Sequence, residues 1–238
     1  MNRPLPDAGA ELPPDVAADA FARIFDGMAD DTALANFLVA LAERGETVDE
    51  IVAAASILRA RVSNPLHYPE AIDVCGTGGD GKHSLNISTA VAITVAACGV
   101  KVAKHGNRAA SSASGAADVL AELGVPELPF DRLGPCLEST GITFLHAARH
   151  HPAMARVAPV RRALGRRTIF NLLGPLANPA GVKRQLVGVY DPARTTDIAT
   201  ALARLGSQAA MVVHGQGYDE LTVTGQSQFA RFDKKQGE

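Results

Sequence analysis

The sequence contains no tryptophan, and aromatic residues fill only 5% of its 238 positions, so any core it builds must be largely aliphatic. Cysteine is scarce as well. Cys75, Cys98 and Cys136 are odd in number and widely spaced, which excludes a paired zinc signature or a disulfide framework and fits three reduced thiols. Neither sign of charge dominates: 23 Lys and Arg face 25 Asp and Glu, a formal net charge of −2. Binders of nucleic acid or anionic membrane surfaces usually carry a basic surplus, so neither partner is expected. Long hydrophobic runs are missing too. The longest, residues 90–100, is broken by Thr94 and Gly99 and is too short to span a bilayer. The opening MNRPLPDAGAELPP shows no basic run followed by an apolar one, so no signal peptide is expected and a cytoplasmic location is.

What is present begins with 47% hydrophobic content, enough for a substantial core. Residues 1–14 are proline-rich and aperiodic, a loose arm. Val16, Ala20, Phe21, Ile24 and Phe25 then recur at helical spacing, predicting a first helix over about 15–28. Asp30 or Asp31 can cap a second, which lines up Leu34, Phe37, Leu38 and Leu41 and is placed to end at Gly45. Thr47 and Glu50 have capping-box spacing for a third, to about residue 61. Asn64-Pro65 closes this all-α unit, set at residues 1–67.

From Ala71 the pattern changes. Apolar runs AIDVCG, VKVAKHG, GITFLHA, QLVGVY and AAMVVHG alternate with helical segments near 88–98, 114–123, 131–140 and 194–205. Strands alternating with helices imply an α/β unit over 68–238 with a mostly parallel central sheet.

Two segments carry candidate chemistry. In DVCGTGGDGKHSLNIST a strand runs into a glycine-rich turn, and a helix starts near Ser88. Glycines let backbone amides converge on an anion, and a helix N-terminus adds free N–H groups. The segment is neither a Walker A loop nor a dinucleotide G-x-G-x-x-G. In KVAKHGNRAASSASG a second strand opens into a loop bearing Lys104, His105, Asn107, Arg108, Ser111 and Ser112. Both loops leave the carboxyl edge of a parallel sheet, where ligands of such sheets bind. One supplies amides and the other cations, a setting for several phosphates.

GTGGDG, NIST, KHGNR and the later NLLGPLANP together resemble anthranilate phosphoribosyltransferase, over about residues 15–225. The resemblance implies a homodimer formed through the helical domain and a fold related to the pyrimidine nucleoside phosphorylases. It also implies phosphoribosyl pyrophosphate (PRPP), anthranilate and Mg²⁺ as ligands. Carried over by position, Gly76, Gly79, Asp80, Ser84, Asn86, Ile87, Ser88 and Thr89 line the PRPP site. Lys104, His105, Gly106, Asn107, Arg108, Ser111 and Ser112 wrap its phosphates. Gly76, Asn107 and Arg161 face anthranilate, although Arg162 is one register away and could serve instead. Ser88, Asp219 and Glu220 hold the metal.

The resemblance also places residues 152–175 with the helical unit. Within that stretch Arg156, Arg162, Arg166 and Arg167 are expected on a solvated helix face. Ala113 and Ala116 depart from the family, which often has lysine and serine there, and each costs a polar contact. No general base stands out. His105 could serve, or could only position its loop. Two other readings stay open, a nucleoside phosphorylase of the related fold and a non-catalytic relative. Family members continue past the position of Glu238, so a C-terminally shortened, poorly stable catalytic unit is expected.

Overall fold

The computed structural model describes residues 4–82, 85–107 and 115–234. Helix α1 (Pro14–Phe25) starts with proline in its first turn, where the missing N–H costs nothing, and buries Ala17, Ala20, Phe21 and Ile24 along one stripe. It stops short of the expected Met28. Helix α2 (Asp31–Arg44) is capped by Asp30, whose carboxylate accepts from the Ala33 N–H at 2.8 Å. Helix α3 (Val48–Arg59) has the expected capping box of Thr47 and Glu50. Glu50 also accepts from the Leu12 N–H at 3.0 Å and pairs with Arg44 at 2.6 Å, so this buried carboxylate fastens the N-terminal arm to the bundle.

The α/β part begins with β1 (Ile72–Gly76), α4 (Ile87–Ala97), β2 (Val102–Gly106), α5 (Ala116–Glu122), α6 (Phe130–Thr140) and β3 (Ile142–His146). Helices α7 (Ala147–His150), α8 (Ala153–Leu164) and α9 (Phe170–Leu173) follow. It closes with β4 (Arg184–Gly188), α10 (Arg194–Arg204), β5 (Ala209–Gly215) and β6 (Ser227–Asp233). The sheet order is β3-β2-β1-β4-β5-β6. The first five strands are parallel, and β6 joins β5 antiparallel. For the strands and helices that the sequence marks here, expected and observed bounds differ by at most two residues, as fraying ends allow, whereas α7, α8, α9 and β6 have no expected bounds.

The order in which strands join the sheet reverses between β1 and β4, because β2 and β3 are added on one side and β4 and β5 on the other. In open α/β sheets that reversal opens a crevice at the strands' carboxyl ends. Helix α8 packs on α1 and α2, and α9 on α3, with Phe25 edge-on to Phe170 at 5.8 Å. One core runs from Phe21, Leu38 and Ile51 through Val160 and Leu172 to Val187, Ile198 and Val212. A smaller one gathers Ala71, Ala103, Leu133, Leu137 and Leu145 beneath α6.

Candidate active site at the switch point

Strands β1 and β4 end in glycine for the same reason. A Cβ on Gly76 would lie 2.5 Å from Asp219 Oδ2, and one on Gly188 would lie 1.6 Å from the Asp219 carbonyl oxygen. The turn after β5 therefore rests directly on the ends of both strands. His214 shapes that turn: its Nδ1 lies 2.8 Å from the Val189 carbonyl, and its Nε2 accepts from the Gly217 N–H at 3.1 Å. The ring is thus set with the proton on Nδ1.

The glycine-rich loop crosses this floor with Gly78 at φ +65°, Gly79 at +75° and Gly81 at +71°, a left-handed run that side chains rarely tolerate. It is tied on every side. The Thr77 N–H donates to the Gly188 carbonyl at 2.9 Å, and the Gly78 N–H to Asp219 Oδ2 at 2.8 Å. Arg167 donates to the Gly79 carbonyl, and Lys82 folds over Tyr218, 5.4 Å from its ring centre.

Three carboxylates meet here. Asp80 gives one oxygen to the Lys82 N–H at 3.0 Å, while its buried Oδ2 has no donor and lies against Asp219. Burial, then the charge of Asp80, raises the Asp219 carboxyl above its usual range against the pull of the Gly78 N–H. Burial, then Asp219, pushes Glu220 up to about 7, with Lys104 opposing. A buried carboxylate oxygen without a donor, beside a second carboxylate, fits a hard divalent cation. Among the described residues no three His, Cys, Asp or Glu side chains cage an ion unaided.

The β2 residues lie deeper than the sequence suggests. Lys104 is 2% exposed, and its ammonium donates to the Val74 carbonyl at 2.7 Å and to Ser88 Oγ at 3.1 Å. It joins β2 to the start of α4, where Thr89 holds a buried hydroxyl without a partner and Asn86 and Ile87 form the first turn. The His105 ring is buried, with Nδ1 3.0 Å from the Gly174 carbonyl and the ring edge-on to His151 at 5.1 Å. Burial, then His151, lowers its pKa to about 3, leaving too little basicity for a general base at neutral pH. Gly106 packs against Ala116, where a Cβ would lie 3.2 Å from that methyl, and Asn107 is exposed at the strand end. Ser84, Arg108, Ser111, Ser112 and Ala113 lie outside the described residues.

Arg161 on α8 is partly buried and 5.7 Å from the Phe170 ring centre, and burial lowers its pKa. Arg162 is exposed. The other arginines, Arg156, Arg162, Arg166 and Arg167, are exposed as expected, but two of them lie off the helix. Arg166 and Arg167 follow the end of α8, and Arg167 stacks 4.1 Å from the Tyr190 ring centre while holding Gly79. Arg156 reaches the Asp26 carbonyl at 3.2 Å, and Arg166 meets Glu43 at 3.3 Å. Nothing local to the sequence marks Arg167, since its partner is 88 residues away. A cleft of about 180 Å³ between Arg59, Leu66, Lys183 and Ser207 touches the motifs only at Asn178 and Pro179, the end of NLLGPLANP, and holds none of the expected site residues.

Comparison with known proteins agrees with this geometry. The α/β domain of a glycosyl transferase family matches residues 68–238, and that family's helical bundle domain matches residues 8–62. The fold and the phosphate-type loop thus define a glycosyl transferase built from a helical bundle and an α/β domain. Within that class the chain belongs to the anthranilate phosphoribosyltransferases, enzymes of tryptophan biosynthesis. The Novosphingobium aromaticivorans enzyme is 56% identical over 95% of this chain and 69% of its own length. The Thermus thermophilus structure superposes with a TM-score of 0.89 at 44% identity, covering 98% of this chain and 72% of that one. A Saccharomyces cerevisiae structure in complex with PRPP and Mg has a TM-score of 0.83 at 28% identity, covering 93% and 68%. The nucleoside phosphorylase reading is not favoured by these relatives.

Proposed function

We propose that the chain transfers the phosphoribosyl group of PRPP to the amine of anthranilate at this crevice, giving N-(5-phosphoribosyl)anthranilate and pyrophosphate. The observation that carries it is the meeting of the glycine-rich loop with Asp80, Asp219 and Glu220 at the switch point, beside the buried Lys104. In this reading the Gly79 and Asp80 amides and the α4 N-terminus hold the phosphates, with Asn86, Ser88 and Thr89 adding side-chain contacts. Asp219, Glu220 and Ser88 hold Mg²⁺. When bound, Mg²⁺ neutralises charge on the departing pyrophosphate. Arg161 takes the anthranilate carboxylate in a bidentate pair, and Asn107 faces the same substrate.

An arylamine ortho to a carboxylate is neutral near pH 7, so the step needs no covalent nucleophile. The amine attacks the anomeric carbon as the bond to pyrophosphate breaks, the amine proton is released to solvent, and an oxocarbenium-like transition state calls for alignment and charge stabilisation. The protein's part is to fix both substrates and keep water from the reacting carbon. We extend the proposal to a homodimer joined through α1–α3 and working in the cytoplasm, where free Cys75, Cys98 and Cys136 fit a reducing milieu.

Pyrophosphate release from PRPP, with and without anthranilate, tests the reading. Release that requires anthranilate and Mg²⁺ is expected, and most of the metal dependence is expected to vanish in Asp219→Asn/Glu220→Gln. A variant with full metal dependence would reduce the pair to a surface turn. No anthranilate-dependent release by the parent chain would remove the transferase reading.

A further inference from the structure

We propose that Arg167 is a positioning residue for the transfer reaction. By holding the Gly79 carbonyl it turns the Gly79–Asp80 peptide so that the Asp80 N–H faces the pyrophosphate. The inference rests on the PRPP reading of the crevice and adds to it a residue that touches the loop from the other side.

The geometry starts from the peptide plane. In a trans peptide the C=O of one residue and the N–H of the next point in opposite directions. Whatever grips the Gly79 oxygen therefore aims the Asp80 hydrogen. Arg167 grips it from one flank, while Asp219 grips the Gly78 N–H at 2.8 Å from another. Between these anchors, among the described residues, neither the Gly79 N–H nor the Asp80 N–H has an acceptor. Consecutive amides bracketed by left-handed residues form a concave nest for an anion. Without an anchor a stretch of three glycines in four residues would sample many orientations, and the nest would have to be ordered by each incoming substrate.

Arg167 is itself held. Its guanidinium stacks 4.1 Å from the Tyr190 ring centre, and the Tyr190 N–H donates to Thr77 Oγ1 at 3.1 Å. Thr77 closes the circuit through its N–H to the Gly188 carbonyl at 2.9 Å. Four points of the loop and the β4 end thus constrain one another. The arginine also comes from the α8–α9 link, six positions after Arg161, so it joins the helical side of the crevice to the phosphate loop.

Arg167 could instead bind phosphate directly as a charge, and the two roles separate experimentally. The test titrates PRPP with Mg²⁺ into the full chain and measures KM for both substrates. It compares Arg167→Ala, Arg167→Lys, Tyr190→Ala, Tyr190→Phe and the Arg167→Ala/Tyr190→Ala pair. Expected is a roughly tenfold loss of PRPP affinity in Arg167→Ala, the equivalent of one ordered hydrogen bond. Tyr190→Ala is expected to reproduce most of that loss without touching any phosphate, the pair to show no further loss, and Tyr190→Phe to restore it. KM for anthranilate and the melting temperature are expected to stay near the parent values. Full affinity in Arg167→Ala overturns the proposal. So does full affinity in Arg167→Lys together with an unaffected Tyr190→Ala, which would make Arg167 a direct charge contact. If the parent chain itself fails to bind PRPP, the underlying reading falls as well, and the parent titration shows which has failed.

Discussion

Arg161 carries a charge that has lost part of its water without gaining an anion. It is partly buried beside Phe170, burial lowers its pKa, and among the described residues no carboxylate pairs with it. Arg162 keeps its hydration at the surface. Desolvation of an unpaired guanidinium is repaid only when a carboxylate arrives, and anthranilate brings one. Arg161→Ala is expected to weaken anthranilate binding by roughly 1.5–3 kcal/mol, with PRPP binding almost unchanged. Separate calorimetric titrations measure both, and an equal loss for the two ligands would move the carboxylate site elsewhere.

At the level of elements, the strand ends matter more than the helices around them. Gly188 closes β4 where the Asp219 carbonyl leaves no room for a methyl group. Gly188→Ala must therefore lift the turn after β5 off the sheet. An overpacking cost of about 1–3 kcal/mol is expected, with weaker metal-dependent PRPP binding. Denaturant midpoints and PRPP titrations report the two effects, and unchanged metal dependence would show that the turn relaxes without moving its carboxylates. The helices and strands were legible because their signals are local. Asp30, Thr47 and Glu50 cap their helices within four residues, and β1 and β2 read as apolar runs closed by glycine. What escaped the sequence depends on distance along the chain. Lys104 reaches back 30 residues to the Val74 carbonyl, and Arg167 reaches 88 to Gly79. Spacing cannot express such pairings, so Lys104 reads as an open loop cation and Arg167 as surface. The glycine-rich loop was legible as an anion site, but which side chains hold its shape was not.

For the molecule as a whole, two buried imidazoles link stability to acidity. Burial, then neighbouring histidine charge, lowers His105 to about 3 and His151 to about 4, and both rings are almost wholly buried. A histidine with a depressed folded pKa adds stability that is present above its unfolded value near 6.5 and is lost as pH falls toward the folded value. Between about pH 6 and 4.5 the native state is expected to lose about 1.4 kcal/mol per pH unit for each of the two. Urea midpoints across that range measure the slope, and His151→Gln is expected to remove about half of it; an unaltered slope would exclude His151 as a source. The continuous core has a different consequence. Because Phe21 and Ile51 share it with Val187 and Val212, melting the bundle would expose apolar residues of the sheet as well. The two halves of the crevice are therefore expected to unfold together, and hydrogen exchange is expected to show lower protection at α6, which rests on its own small core.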